Sequence, residues 1–451
     1  MTAYQYPDSH VFYRKLGHEY PKIVRGEGCW LIDERGKRYL DAVGGAYVAN
    51  LGHSNPEIAE AIAQQARQFG YLSGTQFTHE PVEELAAQIA ETLPGDLSKL
   101  YFLCSGSEAV EAALKLARQY WVERGRSEKH RIIALGPGYH GSTLLALSAS
   151  AREAHKAPFR PWLVDVHRIP APYPYRCECG GRGTACPVCS AAVLEEAIEQ
   201  LGADHVAAFI AEPVGGSSTG ASTPRPEYFK RVREICDRHD VLFIADEVLV
   251  GVGRTGTWWA IEPYGVAPDI MTFGKGVSGG YAALSGIAAP ERIVDTLARG
   301  SGSFIHAQTF SHHPLACAAG VATMRYLKQH KLVDRCAKMG RLLHEKLAPL
   351  TELPHVGDVR GRGLLAGIEF VDDKASRAPL PRSARFAEKF ADAAIDAGIT
   401  VWPNVGHADG TSGDAALIAP PFIITESEID EIVGRLATAL EKTVATLKAR
   451  V

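Results

Sequence analysis

Two short apolar runs, each ending on charged or glycine-flanked residues, limit what this chain can fold into more than any other stretch. Leu242-Phe243-Ile244-Ala245 is wholly apolar, the mark of a strand buried on both faces of a parallel sheet, and it ends on Asp246 and Glu247. A second run, Asp269-Ile270-Met271-Thr272-Phe273, ends on Gly274-Lys275-Gly276. Ligand sites in open α/β sheets lie at the carboxyl ends of strands. The glycines beside Lys275 permit close backbone approach, and packing gives little reason for a lysine there. Either charged residue alone reads as well as a surface group; the two together point to a site.

Strand and helix patterns alternate from residue 100 onward, which predicts a doubly wound α/β domain with a mostly parallel sheet. Leu100–Leu103 reads as a strand and 104–121 as a small polar turn feeding an amphipathic helix. Val206–Ala211 reads as a buried strand ending near Glu212-Pro213. Helices are expected over 55–69, with Pro56 in the first turn, and over 81–93, and a long one runs to about Leu350. Residues 28–53 read as a hairpin of short strands turning at Glu34–Arg38. The expected organisation is an N-terminal arm and part of a small domain over 1–55, a large domain over 56–319, and the rest of the small α/β domain over 320–451.

Composition narrows the class of function. Apolar residues at 46% and charged residues at 22% are those of a soluble globular protein, and a net charge of −4 without long like-charge runs offers nothing to nucleic acid or an anionic membrane. No apolar run reaches the roughly 18 residues that a membrane span requires. The polar, aromatic N-terminus does not resemble a signal peptide, so a cytoplasmic enzyme is expected.

An acid at one strand end and a lysine at another suit pyridoxal 5'-phosphate (PLP). The lysine carries the cofactor on its amine, and an aspartate beneath the ring keeps the pyridine nitrogen protonated. The stretch resembles the signature of class III, fold type I, PLP-dependent aminotransferases in Asp246-Glu247-Val248, Gly251, Gly253-Arg254-Thr255-Gly256, Pro268-Asp269 and Lys275. Ser105-Gly106-Ser107-Glu108-Ala109 adds a second match. Independently of resemblance, small residues opening a helix make an anion site, so Gly106 and Ser107 are candidates for the cofactor phosphate; Ser107 also reads as a helix cap.

The resemblance implies further site residues. Tyr139 would lie on the cofactor ring, with His140 beside it, and Glu212 and Val248 would join Asp246 and Lys275 around the cofactor. His140 also reads as an ordinary turn histidine. Tyr47 would line the small substrate pocket, or fill core as a strand aromatic. Thr309 would bind the phosphate of a neighbouring subunit's cofactor, which implies at least a homodimer, or a tetramer of such dimers.

Departures from the family bear on substrate. Glutamate-using members carry an arginine in GDxxRxAPP and a gating glutamate in EPxxxE. This chain has Leu417 and Ser217 at those positions, and Leu249 where glutamine is frequent. Losing both partners is coherent, because either charge alone would be buried without compensation. The implied reaction moves an amino group from an ω-amine, taurine or β-alanine-like donor to pyruvate or another 2-oxo acid. A 2-oxoglutarate-dependent aminotransferase, or a decarboxylase, racemase or aminomutase on the same fold, are the alternatives. A non-catalytic PLP-fold binding protein would be expected to lack the lysine or aspartate.

Residues 165–190 are rich in Pro, Gly and Cys and read as a long loop. Cys177, Cys179, Cys186 and Cys189 could bind structural zinc, form a disulfide, or remain free thiols. Their C-x-C and C-x-x-C spacing differs from the usual pair of zinc knuckles. Nine cysteines, an odd number, favour free thiols elsewhere.

Overall fold

The computed structural model describes residues 7–177, 179 and 186–448. Residues 1–6 of the expected arm, and 178 and 180–185 of the expected cysteine loop, lie outside the described residues. Near the N-terminus, β1 (Ile23–Glu27), β2 (Trp30–Asp33) and β3 (Arg38–Asp41) pair antiparallel in sequence order. Asp33 sets the predicted β2–β3 turn, its Oδ1 accepting from the amides of Arg35 and Lys37, both at 2.9 Å.

The central sheet has seven strands: β4 (Leu97–Leu103), β5 (Arg131–Gly136), β6 (His167–Pro170), β7 (Val206–Ala211), β8 (Leu242–Asp246), β9 (Ile270–Phe273) and β10 (Ser285–Pro290). Their order is β4-β10-β9-β8-β7-β5-β6, with β10 antiparallel to both neighbours and the other pairs parallel. Every residue of β7 and β8 is buried, which explains their unbroken apolar sequences. The helix Gly106–Glu123 covers one face with Ala109, Val110, Ala113, Leu116 and Trp121, all buried.

The C-terminal part supplies β11 (Val356–Gly361), β12 (Ala366–Phe370), β13 (Ile399–Thr400), β14 (Trp402–Val405) and β15 (Asp414–Ile418). Four form a sheet in the order β11-β12-β15-β14, while β13 adds to β3 in parallel through Ile399 opposite Leu40. Through this pairing the C-terminal part of the chain extends the N-terminal sheet to four strands.

Two local expectations are corrected. Residues 167–170, expected as loop, form the edge strand β6; it pairs on one side only, with β5, so it lacks the apolar pattern of a central strand. The long helix expected to reach about Leu350 is Leu332–Leu347, followed by a 3-10 turn over Ala348–Glu352, and Lys331 at φ +49° separates it from Pro314–Gln329. Tyr47 lies in a helical turn, Gly44–Tyr47, at φ +67°, rather than on a strand. No described helix is long and apolar enough to cross a membrane.

Candidate active site

The carboxyl ends of β8 and β9 are neighbours, and they deliver Asp246 and Lys275 to the same region. Asp246 is buried and held on three sides. Its Oδ2 lies 2.7 Å from His140 Nδ1, and its Oδ1 accepts from Thr272 Oγ1 at 3.0 Å and the Val248 amide at 3.1 Å. Burial alone would lower the His140 pKa, but the hydrogen bond and charge of Asp246, with Glu212 behind, outweigh it and raise it. His140 is therefore no surface turn residue; it is buried, and its Nε2 has no hydrogen-bond partner.

Lys275 sits at φ +44°, a strained conformation for a residue with a side chain. Burial lowers its pKa, and Asp246 and Glu212 hold part of that shift back. The strain is fixed by what flanks it. A Cβ on Gly276 would fall 2.8 Å from Asn50 Nδ2, and that same nitrogen donates to the Gly276 carbonyl at 3.0 Å. Asn50, absent from the sequence reading, thus clamps the lysine turn.

Glu212 is anchored by Ser218 Oγ at 2.6 Å, the Gly216 amide at 3.1 Å and the Tyr139 amide at 3.2 Å, and burial raises its pKa. Tyr139 is thereby tied to the same cluster. Val248, reached from Asp246, fills the space over Gly106, where a Cβ would meet Val248 Cγ1 at 2.5 Å. Glu247, the second carboxylate, points away into structure. It accepts from the amides of Ala260 and Ile261 at 2.9 and 2.8 Å, and burial raises its pKa to about 8.

The helix Gly106–Glu123 opens with a full capping box: Ser105 Oγ accepts from the Glu108 amide, and Glu108 reaches back to the Ser105 amide. Ser105, rather than Ser107, is the cap. The Gly106 and Ser107 amides have no acceptor among the described residues, while Ser107 Oγ accepts from the Ser142 amide at 3.0 Å. Free first-turn amides on a helix of this length suit a phosphate. A buried carboxylate held by His140, an amine with no hydrogen bond to any described residue and this amide pair together fit PLP.

Tyr47 and Leu417 come together, with Trp402 and Leu249, in a compact apolar cluster. Tyr47 is 5.7 Å from Trp402 ring to ring, and its buried hydroxyl has no partner. Leu417 is fully buried on β15. Ser217 lies nearby through Arg152, whose Nη2 donates to the Ser217 carbonyl and to Asn404 Oδ1. The Arg152 guanidinium lies 5.7 Å from the Tyr139 ring centroid. Burial lowers its pKa, and Tyr47 and Glu212 oppose that. The sequence reading missed Arg152, although it is the first arginine or lysine after Arg131 and closes a run of small and apolar residues. Thr309 is exposed in a turn whose next residues, Phe310 and His312, bond Cys104 and Phe102.

The Cys177, Cys179, Cys186 and Cys189 sulfurs gather away from this site, all within 4.8 Å of one another, and none is in a disulfide.

A family model described as aminotransferase class-III matches residues 13–440. An uncharacterised aminotransferase of Schizosaccharomyces pombe is 40% identical over 97% of this chain and 96% of its own. A putrescine–pyruvate aminotransferase of Pseudomonas aeruginosa is 34% identical over 97% and 94%. The crystal structure of a thermostable (S)-enantioselective ω-transaminase from Thermomicrobium roseum superimposes with a TM-score of 0.89 at 36% identity, covering 96% of each chain. With the fold, the lysine and the buried aspartate in place, the chain belongs to the class III aminotransferases, PLP-dependent enzymes that transfer an amino group between small molecules.

Proposed function

We propose that this transaminase takes its amino group from an ω-amine, taurine or β-alanine-like donor and passes it to pyruvate or a similar 2-oxo acid. The observation that carries this reading is the apolar cluster at Leu417. Where an arginine would bind the α-carboxylate of glutamate, a fully buried leucine stands opposite Trp402 on the neighbouring strand, in the apolar cluster that also holds Tyr47 and Leu249. A carboxylate placed there would be desolvated without a partner, at a cost of several kcal/mol. The similarity to a putrescine–pyruvate aminotransferase supports an amine donor and a pyruvate acceptor.

When bound, PLP supplies the electron sink that makes the bond at the donor carbon labile. The chain's own residues then have distinct tasks. Lys275 Nζ would hold the cofactor and would serve as the base for the proton on the donor's amino-bearing carbon; its lowered pKa favours the neutral, basic form. Asp246, oriented by His140, would hold the proton of the cofactor's pyridine nitrogen. Gly106 and Ser107 would bind its phosphate and Tyr139 would contact it, while Glu212 and Val248 hold Tyr139 and Gly106 in place. Tyr47 bounds the small side of the pocket. Arg152, whose Nη2 bonds only neutral oxygens, supplies the positive charge for the carboxylate of the acceptor. A second copy of the chain contributes Thr309, so the working unit is a homodimer.

The test is to add single donors to the purified holoenzyme without acceptor and follow the cofactor's visible band. Loss of the band with a diamine, taurine, β-alanine or 1-phenylethylamine, but not with glutamate, is expected. Rapid conversion by glutamate would overturn the reading of Leu417 and Ser217 and leave a 2-oxoglutarate-dependent enzyme in its place.

A further inference from the structure

The loop between β6 and the helix Ala192–Leu201 plays no part in that chemistry, yet it is built around four sulfurs. Cys177 Sγ lies 3.1 Å from Cys179, 3.4 Å from Cys186 and 3.6 Å from Cys189, and Cys179 lies 3.4 Å from Cys189. A tetrahedral zinc with Zn–S bonds of about 2.3 Å places its sulfurs about 3.8 Å apart. The four described edges are all slightly shorter than that, and no pair is singled out. Cys177 faces three other sulfurs, which is the pattern of a ligand cage rather than of one or two disulfides.

Two tight turns hold the sulfurs there. The Cys177 amide donates to the Tyr173 carbonyl at 2.8 Å. On the other arm the Ser190 amide donates to the Cys186 carbonyl at 2.9 Å, and the Ala191 amide to that of Val188 at 3.2 Å. This geometry offsets the unusual C-x-C spacing, because the second arm, Cys186-Pro187-Val188-Cys189, is an ordinary knuckle and the first is pinned by its own turn. Cys189 is buried and the others are partly so.

We propose that Cys177, Cys179, Cys186 and Cys189 bind one zinc ion, a closed structural site. Four thiol protons leave to solvent and four Zn–S bonds form, with no change of oxidation state. Four protein ligands leave no open position for chemistry, and an all-thiolate set selects zinc over harder cations. The ion ties down the strap that follows β6. From that strap, Tyr173 Oη donates to Glu369 Oε2 at 2.5 Å and Arg176 Nε to Glu369 Oε1 at 2.7 Å, so the metal braces the central sheet against β12. Arg360 joins Tyr173 Oη, at 2.5 Å, to the Thr219 carbonyl, at 2.8 Å, and Ser218 next to it holds Glu212. The site thus supports one wall of the active-site loop from outside. This inference is independent of the donor and acceptor assigned above.

The test uses holoenzyme purified without chelator. Metal analysis should find about one zinc per chain, and X-ray absorption four sulfur neighbours at about 2.3 Å. A mercurial should release the zinc into a chromogenic dye as it titrates the thiols. Cys177→Ser/Cys186→Ser should lose the zinc while the cofactor band persists. Absence of zinc after growth in zinc-supplemented medium, with nine titratable thiols, would overturn the proposal. So would zinc retained by the double variant, or four of the nine thiols appearing only after reduction. If the double variant fails to fold, the absorption spectrum of the unaltered protein decides by itself: oxygen or nitrogen neighbours in place of four sulfurs defeat the proposal.

Discussion

Asp246 is surrounded by three hydrogen-bond donors while Lys275 has no hydrogen bond to any described residue, and that asymmetry sets the electrostatics of the site. Asp246→Asn removes the anion that faces His140 and, in the proposed site, would face the cofactor nitrogen. Turnover should fall by on the order of 10²–10³-fold, the usual loss on removing a fixed charge partner of a transition state, with little change in melting temperature. Lys275→Ala should abolish turnover altogether. The same pair gives a signed pH prediction. Burial lowers the Lys275 pKa and Asp246 opposes it, so capture of PLP by apoenzyme should rise with pH and level off below the ordinary lysine value of about 10.4. In Asp246→Asn that plateau should move to still lower pH; movement upward in a stopped-flow titration would contradict the assignment. Arg152→Leu should raise KM for pyruvate about ten- to a hundredfold, the worth of a charge-assisted hydrogen bond, and cost the half-reaction with a carboxylate-free amine far less. Lys275 and Asp246 were legible because each closes an apolar strand. Arg152 was not, since only the tertiary fold carries it to Ser217 and Asn404.

Among the elements, the helix Gly106–Glu123, proposed to bind the cofactor phosphate, depends on its first residue. Gly106→Ala would drive a methyl into Val248, whose amide is bound to Asp246, so the damage passes to the aspartate as well as to the anion site. PLP affinity should drop at least tenfold by equilibrium dialysis, while the helix itself gains propensity. A second dependence lies on β12. Burial would raise the Glu369 pKa, but the Arg360 charge, the His407 hydrogen bond and Arg176 outweigh it and hold the carboxyl well below the usual range. A depressed pKa contributes stability in full above the unfolded value near 4.3 and loses it as pH falls below that. Melting temperature should therefore decline on acidification through that window less steeply in Glu369→Gln than in the unaltered protein. At neutral pH that variant should be about 1–3 kcal/mol less stable, because Arg360 loses one charged partner while keeping Asp358 at 2.8 Å. The buried strands β7, β8 and β9 were legible from apolar runs. The edge strand β6 was not, because one-sided pairing leaves no periodic trace.

At the scale of the whole molecule, the question is what covers the surface beside Thr309. Phe310, 54% exposed, stands 6.0 Å ring to ring from Tyr71, 49% exposed, and Phe77 on the same loop is 64% exposed. That loop faces the Thr309 turn at Gly74, where an added Cβ would lie 3.5 Å from His312 Cδ2. Large aromatics clustered on a soluble protein's surface mark an interaction site. Thr309 lies within the same patch, and its hydroxyl has no hydrogen bond to any described residue. A second copy seated there, as in the proposed homodimer, would bury the rings and carry Thr309 to a neighbouring phosphate site. If that dimer forms, Phe310→Asp should split it, since a carboxylate buried in such an interface has no partner. By light scattering the variant should weigh one chain, and its PLP should wash out on gel filtration. Thr309→Val is the complementary change: it should weaken PLP binding about fivefold to tenfold, one neutral hydrogen bond, while the dimer persists. A Phe310→Asp variant that stays dimeric, or a monomer holding PLP as tightly as before, would assign the patch to something other than this enzyme's own second subunit.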